Sequence, residues 1–125
     1  MSNLRIDNIA PSAGGTYRNA PRGIAAAWVN FNGTSTVAIR DSENVASLTD
    51  AATGVYRVNL LSSMSDANYC YVTSAGFNSA SSNGVNSTMS NVVAMSSSLF
   101  GVRVDIGALD TDVTLITASV HGDLA

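Results

Sequence analysis

Apolar and polar residues alternate along most of this chain, and the alternation has a period of two. From Ile24 onward, Ala25, Ala27, Val29 and Phe31 fall on one side and Ala26, Trp28 and Asn30 on the other, as in an extended strand. Asn32-Gly33 follows, a dipeptide that accepts positive φ at both positions and therefore predicts a hairpin turn. The next strand is predicted over Ser35 to Arg40, with Val37 and Ile39 on one face, and a third over Val45 to Thr49. A turn through Asp50-Ala51-Ala52-Thr53-Gly54 leads into the most regular stretch. There Tyr56, Val58 and Leu60 alternate with Val55, Arg57 and Asn59, which predicts one buried and one wet face.

Asn68 to Ser74 has apolar residues on both faces, as in a central strand or one covered by a partner. Phe77 to Asn91 is rich in Ser and Asn, includes Asn83-Gly84, and holds no apolar rhythm, so it is expected to be a long loop or irregular edge. Val92 to Met95 predicts a short strand. Ser98 to Ile106 predicts a strong one, with Phe100, Val102, Val104 and Ile106 opposite Gly101, Arg103 and Asp105. Val113 to His121 closes the series and is apolar on both sides. Residues 1–23 contain both prolines, Pro11 and Pro21, with Gly14-Gly15 between them, and read as an extended N-terminal arm. The expectation is an all-β chain: an antiparallel β-sandwich or jelly-roll-like domain of about eight strands over residues 24–125, behind that arm.

Composition adds a partner to this picture. Only 12% of the residues are charged, against about 25% in an ordinary soluble domain. Lys and Gln are absent, and Glu43 is the single Glu. A monomer with so little charge tends to associate, so its faces are expected to lie against identical copies. The net charge of −3 and the scattering of six Arg residues argue against a phosphate backbone as partner. No apolar run approaches the ~18 residues of a membrane span, and the start lacks the basic-then-apolar order of a signal peptide. Neither membrane insertion nor export is expected.

Candidate chemistry is sparse. Cys70 is the only cysteine, so no internal disulfide can form; within Tyr69-Cys70-Tyr71-Val72 it is expected to be a buried, free thiol. His121 is the only histidine, and no Gly-x-Ser-x-Gly elbow accompanies it, so neither a triad nor a typical zinc site is expected. Asp105, Asp110 and Asp112 lie close together but lack the Gly and bidentate Glu of a calcium loop, and read as turn acids. No residue is assigned to catalysis, a cofactor or a metal. Asn32-Gly33-Thr34 and Asn86-Ser87-Thr88 match the glycosylation sequon and read as turn chemistry. Trp28, Phe31, Tyr69 and Tyr71 are expected to pack or to make trimer contacts, with a sugar-stacking platform as the alternative for Trp28.

One segment is more specific. Ala27-Trp28-Val29-Asn30-Phe31-Asn32-Gly33-Thr34, followed by Thr36-Val37-Ala38-Ile39-Arg40-Asp41-Ser42, resembles a module found near the C-terminus of bacteriophage tail-fibre and related virion proteins. Asn44 to Asp50, Thr53 to Asn59 and Met64 to Tyr69 follow the same order and spacing. The resemblance covers about Ile24 to Val72 and is loose beyond it, although Ala118 to Asp123 is similar to the module's closing strand. It implies a homotrimeric β-rich virion appendage without enzymatic activity: a tail-fibre or receptor-binding component engaged in host attachment. A capsid decoration protein or head spike is the alternative, and a polysaccharide-degrading tail enzyme the third. Residues 1–23 would join other virion proteins. Asn78, Ser82, Asn83, Asn86 and Asn91 would be the candidates for contacting a host glycan or protein.

Overall fold

Alternation alone cannot say which strands are neighbours; the computed structural model does. It describes residues 8–9, 18–19, 24–77, 86–89 and 95–125. Within the first 23 residues, β1 (Asn8–Ile9) pairs antiparallel with β2 (Arg18–Asn19). The body follows as β3 (Ala27–Asn32), β4 (Ala38–Glu43), β5 (Val45–Ala52), β6 (Val55–Leu60), β7 (Cys70–Gly76), β8 (Asn86–Met89), β9 (Leu99–Ile106), β10 (Leu109–Asp110) and β11 (Leu115–His121). These strands make two antiparallel sheets, in the orders β4-β3-β11-β7 and β10-β9-β6-β5, with β8 also paired to β9. The chain is all-β, and the arrangement is that of a β-sandwich.

The core lies between the sheets and is built from the positions the alternation marks. Ala27, Val29, Phe31, Ile116, Ala118 and Val120 face inward from the first sheet; Tyr56, Val58, Phe100, Val102 and Val104 face them from the second. Two edge-to-face aromatic pairs lock the layers. Phe31 meets Tyr56 at 5.2 Å between ring centroids, and Tyr71 meets Phe100 at 5.4 Å. Each such pair contributes about 0.5–1.5 kcal/mol beyond the area it buries.

Three local features depart from the simple alternation. The turn after β3 is not an Asn-Gly I′ turn. Its left-handed residue is Ser35, at φ 58°, while Asn32 Oδ1 accepts hydrogen bonds from the Thr34 amide at 3.2 Å and hydroxyl at 2.8 Å. Gly33 is needed for space instead, because a Cβ there would stand 2.4 Å from the Tyr56 hydroxyl. β4 begins at Ala38 and runs on to Glu43, and its pairing with β3 slips between Asn30 and Phe31, leaving Arg40 as an extra residue. Asn44 alone separates β4 in one sheet from β5 in the other, and turns the corner at φ 54°. Its side chain joins both sides of that corner: Nδ2 donates to the Ala26 carbonyl at 3.0 Å and the Ser62 carbonyl at 3.1 Å, and Oδ1 accepts from the Ser62 amide at 2.7 Å.

One expectation is corrected and two are narrowed. Of the two forms expected for Phe77 to Asn91, a long loop or an irregular edge, the described part takes the edge: β8 pairs with β9 from Asn86 opposite Asp105 to Met89 opposite Val102. Its Ser- and Asn-rich sequence shows no alternation, but an open edge of β9 supplies the backbone partners. Cys70 is exposed, not buried. Tyr71 turns into the core against Phe100, so the alternation of β7 sends Cys70, Val72 and Ser74 to the other face. β7 is an edge of its sheet, so of the two forms expected for it, a central strand or one covered by a partner, the first does not hold.

Candidate binding face

The outer face of the β4-β3-β11-β7 sheet gathers the side chains with the most recognisable binding chemistry. Residues directly opposite one another in an antiparallel ladder share a face. Trp28 lies opposite Glu43 on β4 and Ser119 on β11, and Ser119 lies opposite Val72 on β7. This gives one row across all four strands: Glu43, Trp28, Ser119, Val72. The adjacent row is Asp41, Asn30, Thr117, Ser74.

Side-chain size shapes these rows into a cleft. Trp28 and Val72 stand up from strands two apart, roughly 10 Å at the usual strand spacing, and the short Ser119 and Thr117 lie between them. The result is a shallow depression of about 370 Å³. Trp28 is 36% and Val72 57% exposed, so both present apolar surface to solvent. The polar rim is partly organised: Arg40 donates from Nη1 to Asn30 Oδ1 at 3.3 Å and from Nη2 to the Thr114 carbonyl at 2.5 Å. Thr117 Oγ1 donates to the Ser74 carbonyl at 3.5 Å.

Beside this cleft, Cys70 and His121 are direct cross-strand partners. They line a second depression of about 350 Å³ with Met64, Asp66, Tyr69 and Asp123. The only thiol and the only imidazole thus meet, as the sequence could not foresee, yet no hydrogen bond joins them. No group of three or more His, Cys, Asp or Glu side chains able to hold a metal occurs among the described residues.

A third depression, of about 890 Å³, is lined at the corner of the sandwich by Ile24, Ala26, Asn44, Leu61 and Leu124 among others. Leu61 is 74% exposed there.

The acids read as turn residues hold structure. Asp112 Oδ1 accepts from the Gly54 amide at 2.7 Å and the Tyr56 hydroxyl at 2.8 Å. Asp110 forms an exposed ion pair with Arg103 at 2.6 Å, and Asp105 Oδ1 accepts from Asn86 Nδ2 at 3.2 Å.

Of the four aromatic candidates, Phe31, Tyr69 and Tyr71 belong to the core or pack on it, and only Trp28 stands on the outer face. Asn86 is exposed on β8, whereas Asn78, Ser82, Asn83 and Asn91 lie outside the described residues. Sequence reasoning did not single out Val72, Ser74, Thr117 or Ser119, because nothing in the order of residues shows that β11 lies between β3 and β7. Compared with protein-family models, curated proteins and solved structures, the chain matches none of them.

Proposed function

We propose that this chain is a structural component of a bacteriophage virion, a trimeric tail-fibre or receptor-binding module that acts by assembly and adhesion and not by catalysis. What carries this reading is that the residues behind the resemblance are those that set the fold. Asn32 organises the turn after β3, Asn44 turns the corner between the sheets, and Gly54, at φ 67°, closes the hairpin between β5 and β6. A Cβ on Gly54 would come within 2.5 Å of the Val104 carbonyl oxygen and the Thr111 amide nitrogen, so no other residue fits without a backbone shift. The positions that carry the resemblance are thus ones on which this fold depends, and this supports the reading.

Self-association is supported by the exposed apolar residues Ile24, Leu61 and Leu124 at the corner depression. Burying about 25 cal/mol per Å² of such surface favours contact between copies, and the scarcity of charge removes the usual opposition to it. Residues 1–23 are proposed to join the chain to other virion proteins.

Two measurements test the reading. Native mass spectrometry of the full chain is expected to give a trimer, and immunogold labelling of the phage that encodes it is expected to mark the tail. A stable monomer would remove the trimer. Label on the head would make the chain a decoration protein, and unlabelled particles would remove the virion reading.

A further inference from the structure

We infer that the cleft between Trp28 and Val72 is a binding site for a neutral pyranose, and that Trp28 is the platform on which the sugar ring rests. This deepens the attachment reading by naming a ligand class and a site, and it rests on that reading for its biological setting.

A pyranose has two chemically different parts: a face of C–H groups and a rim of hydroxyls. The first is matched by an apolar aromatic surface, the second by short polar side chains that both donate and accept. The cleft supplies both in register. The Trp28 indole and the Val72 methyls form the apolar walls, and Ser119 and Thr117 form a hydroxyl-bearing floor between them. Asn30 and Ser74 continue that floor. Because Asn30 Oδ1 accepts from Arg40, the amide's Nδ2 donor is the group it offers a ligand.

Charge selects among sugars. Glu43 continues the Trp28 row and Asp41 the Asn30 row on β4. Their carboxylates can accept from sugar hydroxyls, but they repel a carboxylated or phosphorylated sugar. Among the described residues the cation beside these rows is Arg40, which donates to the neutral Asn30 amide and Thr114 carbonyl. It offsets one of the two carboxylates and leaves the edge net negative. A neutral sugar is therefore favoured over an acidic one. The apolar surface within the cleft is that of Trp28 and Val72, well short of the about 800 Å² in total that each side of a stable protein interface buries.

Trp28 is the only tryptophan, so its fluorescence reports this cleft alone. The full chain is titrated with maltose, cellobiose, lactose and mannobiose, with N-acetylneuraminic acid as the charged control. A saturable change in emission is expected with at least one neutral disaccharide, and at least tenfold weaker binding of the acid. Ser119→Leu fills the floor while keeping the probe, and is expected to weaken sugar binding at least tenfold with an unchanged circular dichroism spectrum. Trp28→Ala, followed by saturation-transfer NMR, is expected to abolish binding, and Trp28→Tyr to restore part of it. No saturable change with any neutral sugar overturns the inference, as does binding that Ser119→Leu leaves intact. If sugars fail to bind and Trp28→Ala lowers the oligomeric state, the face is a contact between copies. Sugar binding by a chain absent from virions would keep this inference and sink the virion reading, and the reverse result would do the opposite.

Discussion

The hydroxyl of Tyr56 lies 2.8 Å from Oδ1 of Asp112, and this contact ties a strand of one sheet to the segment that leads into the other. Tyr56 is wholly buried, and the same carboxylate oxygen accepts the Gly54 amide at 2.7 Å. The Gly33 carbonyl lies 3.1 Å from the hydroxyl, so the end of β3 joins the cluster. One Asp therefore organises three chain segments at the end of the sandwich opposite the Asn44 corner.

Asp112 and Asp110, two residues apart, are expected to differ sharply in their effect on stability. Asp112→Ala strands the Gly54 amide and leaves the Tyr56 hydroxyl only the Gly33 carbonyl, and is expected to cost about 1–3 kcal/mol. Asp110→Ala breaks only an exposed, solvent-screened ion pair with Arg103 and is expected to leave stability almost unchanged. Urea denaturation of both variants checks this. Equal losses would show that the Tyr56–Asp112 contact is not what holds this end together.

Alkaline pH is expected to unfold the protein through its tyrosines. Burial pushes Tyr69 and Tyr71 up to about 12, and burial followed by the hydrogen bond and charge of Asp112 pushes Tyr56 higher still. In the unfolded chain these hydroxyls ionise near 10. Their stabilising contribution is therefore complete below about pH 10 and is lost as pH rises toward and through the folded values, because the unfolded state then binds fewer protons. The urea midpoint should hold steady from about pH 8 to about pH 9.5 and fall beyond about pH 10. A midpoint unchanged to about pH 12 would mean that the three hydroxyls are solvated.

Asn44 does two jobs that two substitutions separate. Asn44→Gly keeps the left-handed backbone but loses the side-chain hydrogen bonds, and is expected to cost about 1–2 kcal/mol. Asn44→Ala loses both and is expected to cost about 3 kcal/mol. Thermal melts of the two variants give the ordering. Ala outperforming Gly would show that φ at this corner is not the constraint.

The hairpin between β9 and β10 offers a gain in stability. Gly107 and Ala108 occupy its two turn positions at φ 59° and 71°, the conformation of a I′ turn. A left-handed Ala costs about 1–2 kcal/mol, and the greater unfolded-state freedom of Gly offsets about 0.5–1 kcal/mol of any relief. Ala108→Gly is therefore expected to stabilise the fold by about 0.5 kcal/mol. Gly107→Ala is expected to destabilise it through φ alone, since a Cβ there meets nothing within 4 Å. Opposite shifts in melting temperature for the two variants check the pair.

The sequence by itself determined that this is a β chain and which face of its clearest strands is buried. In β3 and through Tyr56, Val58, Leu60, Phe100, Val102 and Val104 burial follows parity, because only one face can meet the opposing sheet. Val55, expected on the wet face, is instead buried, and Ile106, expected on the inner face, is only half-buried. Where both parities are apolar, the sequence is silent. Tyr71 and Cys70 were equal candidates for the core, and the contact of Tyr71 with Phe100 on the other sheet decided between them. β8 has no alternation to read, since its pairing is supplied by backbone groups of β9. The binding cleft was the least legible feature. Trp28 and Asn30 share a face by parity, but Ser119 and Val72 come from strands far along the chain. Only the order β4-β3-β11-β7, a matter of long-range backbone pairing, sets them side by side.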